Sequence, residues 1–109
     1  MAWLELREDV QMHNEIFNAS GRHIIFKHSP RCGISSMILR RFEQSDYFKS
    51  SKDSFWILDV LSSRNISTQI ANDVNVRHES PQVLLIVDGK LLHHSSHSNI
   101  DADLILKIT

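Results

Sequence analysis

The spacing of hydrophobic residues in the first part of the chain predicts a helix followed by a strand. Four apolar residues recur at roughly helical spacing, and Ser20-Gly21 provides a stop, so the pattern predicts a helix from Asp9 to Ala19. The next run, HIIFKHS, is short and apolar and ends at Ser29-Pro30, which is typical of a buried strand. The apolar residues of the helix, with one that precedes it, are Leu6, Val10, Ile16 and Phe17.

A second change of period follows the only cysteine of the chain, Cys32. The next apolar residues recur at intervals of four, one and three, with charged residues between them, and this stripe predicts an amphipathic helix. Its members are Ile34, Ile38, Leu39 and Phe42. Cys32 is therefore predicted to lie where a strand turns into a helix.

The second half of the chain repeats the alternation of strand and helix. FWILDV reads as a strand, and SSRNISTQIANDVNV reads as a helix that Ser63 can cap, with Ile66, Ile70 and Val74 on one apolar face. Strand and helix then give way to PQVLLIVDGKLLHHS, two apolar runs joined by Asp88-Gly89. That pair favours a type I′ hairpin turn, in which both central residues have positive φ.

The tail NIDADLILKIT predicts a closing helix, with Asp101 as its cap. Its expected packing face consists of Leu104, Ile105 and Ile108. The predicted order of elements is then α, β, α, β, α, β, β, α. Because parallel strands need a crossover helix and the last two strands pair as a hairpin, this order predicts an α/β, thioredoxin-like domain with a central mixed sheet of about four strands flanked by helices.

Length, charge and cysteine content narrow the classes of protein that fit this pattern. A chain of 109 residues without a repeat or linker predicts one domain over residues 1–109. A formal net charge of −1 does not favour nucleic acid as a partner. The longest apolar run, Val83 to Val87, is too short to cross a membrane. One cysteine and an N-terminus without an apolar signal segment predict a cytoplasmic protein.

The position of Cys32 favours reactivity over simple packing. A lone cysteine is usually a small buried hydrophobic residue. Cys32, however, lies between Pro30-Arg31 and Gly33, in a turn rather than a core segment. Unpaired N–H groups at the start of a helix, and cations such as Arg31 with Lys27 and His28 shortly before, favour the thiolate. The sequence therefore predicts that Cys32 reacts as a nucleophile near neutral pH.

The motif CGIS has the spacing of a C-x-x-C redox motif, but Ser35 replaces the second cysteine. An internal disulfide is excluded, whereas a single thiol can still attack a mixed disulfide and retain the small thiol until another thiol removes it. Ser35 could donate a hydrogen bond to the thiolate, or it could simply cap or fill the first helical turn.

The segment HESPQ places Pro81 directly before a predicted strand, where it cannot donate a ladder hydrogen bond. In a thioredoxin-like fold, a cis-proline occupies this position beside the active cysteine, and the preceding residue presents backbone groups to a thiol substrate. The fold therefore predicts a cis Ser80–Pro81 bond. The histidines of HHSSH do not predict a metal site, since His93 and His94 point to opposite faces of a strand.

Together, FKHSPRCGISSMILRRFE and HESPQVLLIVDGKLLHHSSH resemble the YtxJ-type monothiol bacilliredoxin family over nearly the whole chain. The resemblance implies a thioredoxin-like fold and the removal of bacillithiol from other cytosolic proteins, with bacillithiol as a small-thiol co-substrate and no tightly bound cofactor. It implies Cys32 as the nucleophile, Ser35 as the end of its motif and Pro81 as the cis-proline. We expect Arg31, Gly33 and Ser80 to complete the substrate site. Gly33 departs from the proline that is common in the family.

Two other functions remain compatible with the sequence. CGIS is similar to the CGFS motif of monothiol glutaredoxins, which use glutathione and can carry an iron–sulfur cluster. That family has a Gly-Gly element after the cis-proline hairpin, however, and this chain has HHSSHSNID there. The second alternative is a redox-silent thioredoxin-like adaptor that binds partners through the edge at Pro81. Such an adaptor would tolerate replacement of Cys32.

Overall fold

The computed structural model describes residues 2–108, which build a five-stranded mixed sheet with helices on both faces. The strands lie in the order β1-β3-β2-β4-β5. Strand β2 is parallel to β3 and antiparallel to β4, while β1 runs parallel to β3 at one edge and β5 pairs with β4 at the other. The bounds are β1 Leu4–Glu5, β2 Arg22–His28, β3 Ser54–Asp59, β4 Gln82–Val87 and β5 Lys90–Ser96.

The first helix changes from an α-helix to a π-helix after its first three residues. A single α-helical turn, α1, is followed by six residues of π-helix, at whose end Asn18 N–H donates to the carbonyl of His13, five residues back. The other helices are α-helical except for one 3₁₀ turn. The bounds are α1 Asp9–Gln11, the π-helix Met12–Phe17, α2 Gly33–Glu43, α3 Asp46–Ser50, α4 Arg64–Val74, the 3₁₀ turn His97–Asn99 and α5 Ala102–Leu106.

The predicted thioredoxin-like arrangement is confirmed, since each predicted helix and strand is present in the predicted order. The sheet has five strands because β1, which the sequence pattern does not reveal, adds a two-residue edge. None of the helices formed by the described residues has the length and apolar character that a membrane span requires.

The sheet divides the buried residues into two clusters of different character. The face covered by α2, α3 and α5 is aromatic, with Phe26, Phe42 and Phe55 in edge-to-face contact at its centre. The opposite face, covered by the first helix and α4, is mainly aliphatic and includes Ile25, Ile66 and Ile70. Because successive residues of β2 point to opposite faces, Ile25 and Phe26 belong to different clusters.

The β4–β5 hairpin turn packs against the N-terminal helix. Asp88 and Gly89 have φ values of 50° and 82°, which confirms the prediction of positive φ at both positions. Gly21 N–H donates to Asp88 Oδ1 at 2.8 Å, and Asp88 N–H donates to Gly21 O at 3.0 Å. A side chain at Gly89 would overlap with the Phe17 carbonyl oxygen. The turn therefore joins the hairpin to the end of the first helix.

A partly buried guanidinium, that of Arg22, fixes the C-terminal helix to the sheet. Arg22 donates to Asp53 Oδ2 at 2.9 Å and to the carbonyl oxygens of Ile105 and Ile108. Tyr47 donates to the same Asp53 oxygen at 2.7 Å. Burial alone would lower the pKa of Arg22, but the hydrogen bond to Asp53, together with the effect of Tyr47, outweighs it, so that the pKa is raised.

Three predicted core residues are exposed, and the predictions for them were wrong. Val10 is 51% exposed because the π-helix that follows α1 shifts the angular position of successive residues. Ile34 is 56% exposed, since it lies in the first turn of α2 beyond the end of β2. Leu104 is 51% exposed because the short helix α5 buries Ala102 and Ile105 instead.

Of the two predicted helix caps, one makes the expected side-chain hydrogen bonds and the other does not. Asp101 caps α5 as predicted, since its carboxylate accepts from the backbone of Asp103 and Leu104. Ser63 occupies the N-cap position of α4, but its side chain makes no cap hydrogen bond there. The sequence pattern did not predict α3, whose N-cap residue, Ser45, accepts a hydrogen bond from Phe48 N–H. That helix is a single turn, too short for a repeating pattern.

Candidate active site

Cys32 lies at the N-terminus of α2 with an extended backbone and a partly exposed side chain. Its N–H donates to Ser29 O at 3.1 Å, and its carbonyl accepts from Ser36 N–H at 3.1 Å. The first bond closes the turn after β2, and the second begins the helix. Cys32 is thus held at the strand-to-helix junction that the sequence predicts, with its side chain open to a reactant.

Ser35 anchors this turn from below. Its side chain is fully buried, its hydroxyl oxygen accepts from Ser29 N–H at 3.1 Å, and it lies 2.7 Å from Nδ1 of His28. Among residues 2–108, the structure shows no hydrogen bond to the Cys32 thiol. Of the two roles that the sequence left open, the observed contacts support the one in which Ser35 fills the first helical turn.

His28 is the residue through which the turn is joined to the sheet. It ends β2, pairs with Asp59 across the parallel ladder, and its carbonyl accepts from Val60 N–H at 3.0 Å. Burial lowers the pKa of His28, while the negative charges of Asp59 and Glu43 act in the opposite direction. A neutral imidazole can accept a hydrogen bond from the Ser35 hydroxyl at Nδ1, and the ring then carries its own hydrogen on Nε2. The sequence suggested His28 as a cation near Cys32 that would favour the thiolate, but it did not predict the contact with Ser35.

The Ser80–Pro81 peptide bond is cis, as predicted. Lys27 pairs with Gln82 across β2 and β4, so continuation of this register places Pro81 opposite His28. Pro81 is buried, and its carbonyl accepts from His97 N–H at 2.9 Å. The register therefore brings the cis-proline segment to the end of β2 from which the cysteine turn begins.

Arg31 and Gly33 flank the cysteine and are both exposed. Gly33 is the first residue of α2, and a side chain built on it would meet no atom within 4 Å. The structure brings Arg31, Cys32 and Gly33 to one open surface.

Lys27 does not take the role that the sequence suggested. Because His28 and Lys27 point to opposite faces of β2, Lys27 lies under α4 rather than near the thiol. It is fully buried, and its ammonium group donates to Ser67 O at 3.1 Å and contacts His78 Nδ1 at 3.4 Å. Loss of hydration lowers the pKa of Lys27 to about 8.

The histidines of the second hairpin strand are separated in the structure. His93 and His94 follow one another in β5, and His97 begins the 3₁₀ turn. Within the described residues, no three side chains of His, Cys, Asp or Glu come together as a metal site would require. Burial, followed by the neighbouring charge of His94, lowers the pKa of His93.

Comparison with known proteins identifies the family. A model of the family described as monothiol bacilliredoxin BrxC matches residues 5–105. The chain belongs to the monothiol bacilliredoxin family. Its fold is shared by a protein described as a proposed oxidoreductase with a thioredoxin fold, with a TM-score of 0.82 and 27% identity over 95% of this chain and 90% of the other. A thioredoxin from Malassezia sympodialis, Mala s 13, has a TM-score of 0.69 and 18% identity over 96% and 85% of the two chains.

Membership of the bacilliredoxin family indicates the general class of reaction that this protein carries out. The protein is a thiol oxidoreductase of thioredoxin fold with one cysteine, and its family implies a low-molecular-weight thiol as reaction partner. One thiol can exchange with a mixed disulfide, but it cannot form an internal disulfide afterwards.

Proposed function

We propose that this bacilliredoxin removes bacillithiol from mixed disulfides of cytosolic proteins through Cys32. The Cys32 thiolate attacks the bacillithiol sulfur, forms a disulfide with it, and releases the client thiolate, which takes up a proton from water. The client cysteine gains two electrons and is reduced, while Cys32 loses two electrons and is oxidised. An external thiol then attacks the Cys32 mixed disulfide, restores the free thiol and leaves as a disulfide with bacillithiol.

The observation that carries this proposal is the contrast between positions 32 and 35. Cys32 is partly exposed at the start of α2, whereas Ser35 is fully buried with its hydroxyl held by His28 and Ser29. No second sulfur can resolve an adduct on Cys32, since the chain has one cysteine. A mixed disulfide with a small thiol is therefore the natural resting product of the first step.

We assign the neighbouring residues to substrate binding. The N–H of Gly33, in the first turn of α2, has no acceptor within the helix and is available to the sulfur or carbonyl of a substrate. Exposed Arg31 adds a positive charge beside it. Ser80, which precedes buried Pro81, is partly exposed and offers backbone groups to the substrate. No tightly bound cofactor enters the cycle.

Mass spectrometry tests the proposal directly. The purified protein is incubated with a bacillithiolated model protein, and the adduct is located by peptide mapping. We expect one bacillithiol on Cys32 and one free thiol on the model protein, with neither product in Cys32→Ala. A matched reaction with the glutathionylated model protein should transfer more slowly. Preferential glutathione transfer, or a transfer that persists in Cys32→Ala, would refute the proposal.

A further inference from the structure

A cleft of about 900 Å³ runs between α4 and the segment that returns from it to β4. Ser29 and Ser80 line one part of this cleft. Ser29 O accepts from Cys32 N–H, and Ser80 forms the cis bond with Pro81, so both residues belong to the segments that carry the proposed reaction. A group attached to Cys32 through a disulfide therefore has the cleft beside it.

Two arginines, Arg64 and Arg77, line the cleft among otherwise neutral residues. None of the lining residues within the described part of the chain is Asp or Glu. The ion pairs found within residues 2–108 are Arg7–Glu5 and Arg22–Asp53, so neither arginine of the cleft is neutralised by a carboxylate there. The neighbouring acid, Glu79, has its pKa lowered first by a hydrogen bond to Ser96 and then by surrounding cations.

The position of Arg64 relates the cleft to the thiol. Arg64 is the first residue of α4, which follows β3, and Cys32 precedes α2, which follows β2. Because β2 and β3 are parallel, both helices begin at the same edge of the sheet. The positive charge of Arg64 also lowers the pKa of His78, an effect that comes after burial and Lys27.

Two residues that line the cleft, Ser67 and His78, also contact the buried Lys27. Nδ1 of His78 lies 2.9 Å from Ser67 Oγ and 3.4 Å from the Lys27 ammonium group. An ammonium group can only donate, so Nδ1 accepts and the imidazole carries its hydrogen on Nε2. Gln82 pairs with Lys27 in the ladder, and its buried Oε1 has no hydrogen-bond partner among the described residues. The buried Lys27 charge is thus held by neutral groups, and an anion nearby would stabilise it.

We propose that this cleft binds a carboxylate of the small thiol that Cys32 carries. The inference rests on the proposed function, because that function places a small thiol on Cys32. Guanidinium groups bind carboxylates through paired, charge-assisted hydrogen bonds, which a hydroxyl or an amine does not match. A small thiol that ends in a carboxylate therefore gains contacts with Arg64 and Arg77 that an uncharged thiol of equal length lacks.

An equilibrium measurement tests the cleft apart from catalysis. The protein is mixed with the symmetric disulfide of mercaptobutanoate or of mercaptobutanol, thiols of equal length that end in a carboxylate or a hydroxyl. Each reaction joins one half of the disulfide to the Cys32 sulfur and releases the other half as a thiol, which takes the Cys32 proton. Mass spectrometry of the acid-quenched mixtures gives the two equilibrium constants.

The ratio of these constants is the measured quantity. We expect it to favour mercaptobutanoate and to fall about tenfold in Arg64→Gln/Arg77→Gln, as for the loss of two charge-assisted contacts. The control Arg40→Gln/Lys52→Gln removes the same charge from exposed positions outside the cleft and should leave the ratio unchanged. A ratio near one in the unaltered protein, or an equal fall in both variants, would overturn the inference.

The two proposals fail in different ways. If bacillithiol transfer occurs but the ratio does not depend on Arg64 and Arg77, the cleft assignment is wrong and the proposed function stands. If transfer from a protein mixed disulfide fails while the ratio depends on both arginines, the cleft binds carboxylates and the proposed function is wrong.

Discussion

Nδ1 of His28 and the hydroxyl oxygen of Ser35 lie 2.7 Å apart, beneath the turn that carries Cys32. The same hydroxyl accepts from Ser29 N–H, so one buried side chain joins the end of β2, the turn and the first turn of α2. The position that holds the second cysteine in a C-x-x-C motif is thus used here for structure. The Ser35 hydroxyl therefore stabilises the turn, and it occupies the place of the second thiol that the proposed monothiol chemistry does without.

Ser35→Ala should destabilise the protein by about 1–3 kcal/mol, because the Ser29 N–H and the His28 ring then lose a buried partner. Urea unfolding, followed by circular dichroism, gives the change in the free energy of unfolding. Ser36→Ala is the matched control, since Ser36 is partly exposed and its side chain makes neither of the hydrogen bonds described for Ser35. Equal stability of the two variants would contradict the anchoring role.

Stability should rise with pH between about 8 and 10.5 because of Lys27. Its pKa is lowered from 10.5 to about 8 in the folded protein, so the unfolded chain binds more protons within this window. The stabilising contribution is complete above the unfolded pKa and is lost as the pH falls through the folded one. Its full size is about 3 kcal/mol at about 1.4 kcal/mol per pKa unit.

Urea unfolding at about pH 7.5 and about pH 9.5 samples about half of this rise, and both values lie below the ordinary tyrosine pKa of about 10. Lys27→Met keeps the length of the side chain and removes the titrating group, so its stability should change much less between the two pH values. The pKa of Tyr47 is raised by burial and by its bond to Asp53, which affects stability only at higher pH. The same slope in both proteins would exclude Lys27 as the cause.

Gly33→Pro should stabilise the protein by about 0.4–1 kcal/mol. Gly33 is the first residue of α2, where a helix accommodates proline, and Cys32 before it has the extended backbone that a following proline requires. The substitution restricts the unfolded chain without removing a helical hydrogen bond. The thermal unfolding midpoint checks the effect, and a decrease would show that Gly33 has a conformational role in the native turn.

Gly89→Ala should destabilise the hairpin by about 2 kcal/mol or more, since the new Cβ meets the Phe17 carbonyl and the backbone has positive φ. Gly21→Ala provides a matched control, because Gly21 also has positive φ but has open space around it. The difference between the two free energies of unfolding isolates the contact with Phe17. Equal losses would mean that backbone strain alone accounts for the effect.

The sequence predicted most of the fold and the position of Cys32, because both depend on local patterns. The Asp88-Gly89 turn and the strand-to-helix junction at Cys32 follow from residues that are adjacent in the chain. The bond between His28 and Ser35 could not be predicted, since it depends on how a strand end packs against the next helix. Likewise, Arg64 and Arg77 meet the same cleft only because the chain folds back after α4.

The burial of Ser35 also bears on how this protein could evolve. A serine codon can become a cysteine codon by one nucleotide change, which would create the C-x-x-C spacing of a dithiol enzyme. The larger sulfur would have to fit a fully buried site, and its weak hydrogen bonding would leave His28 and Ser29 poorly paired. A change from one-thiol to two-thiol chemistry therefore requires compensating substitutions around the turn as well as the new cysteine.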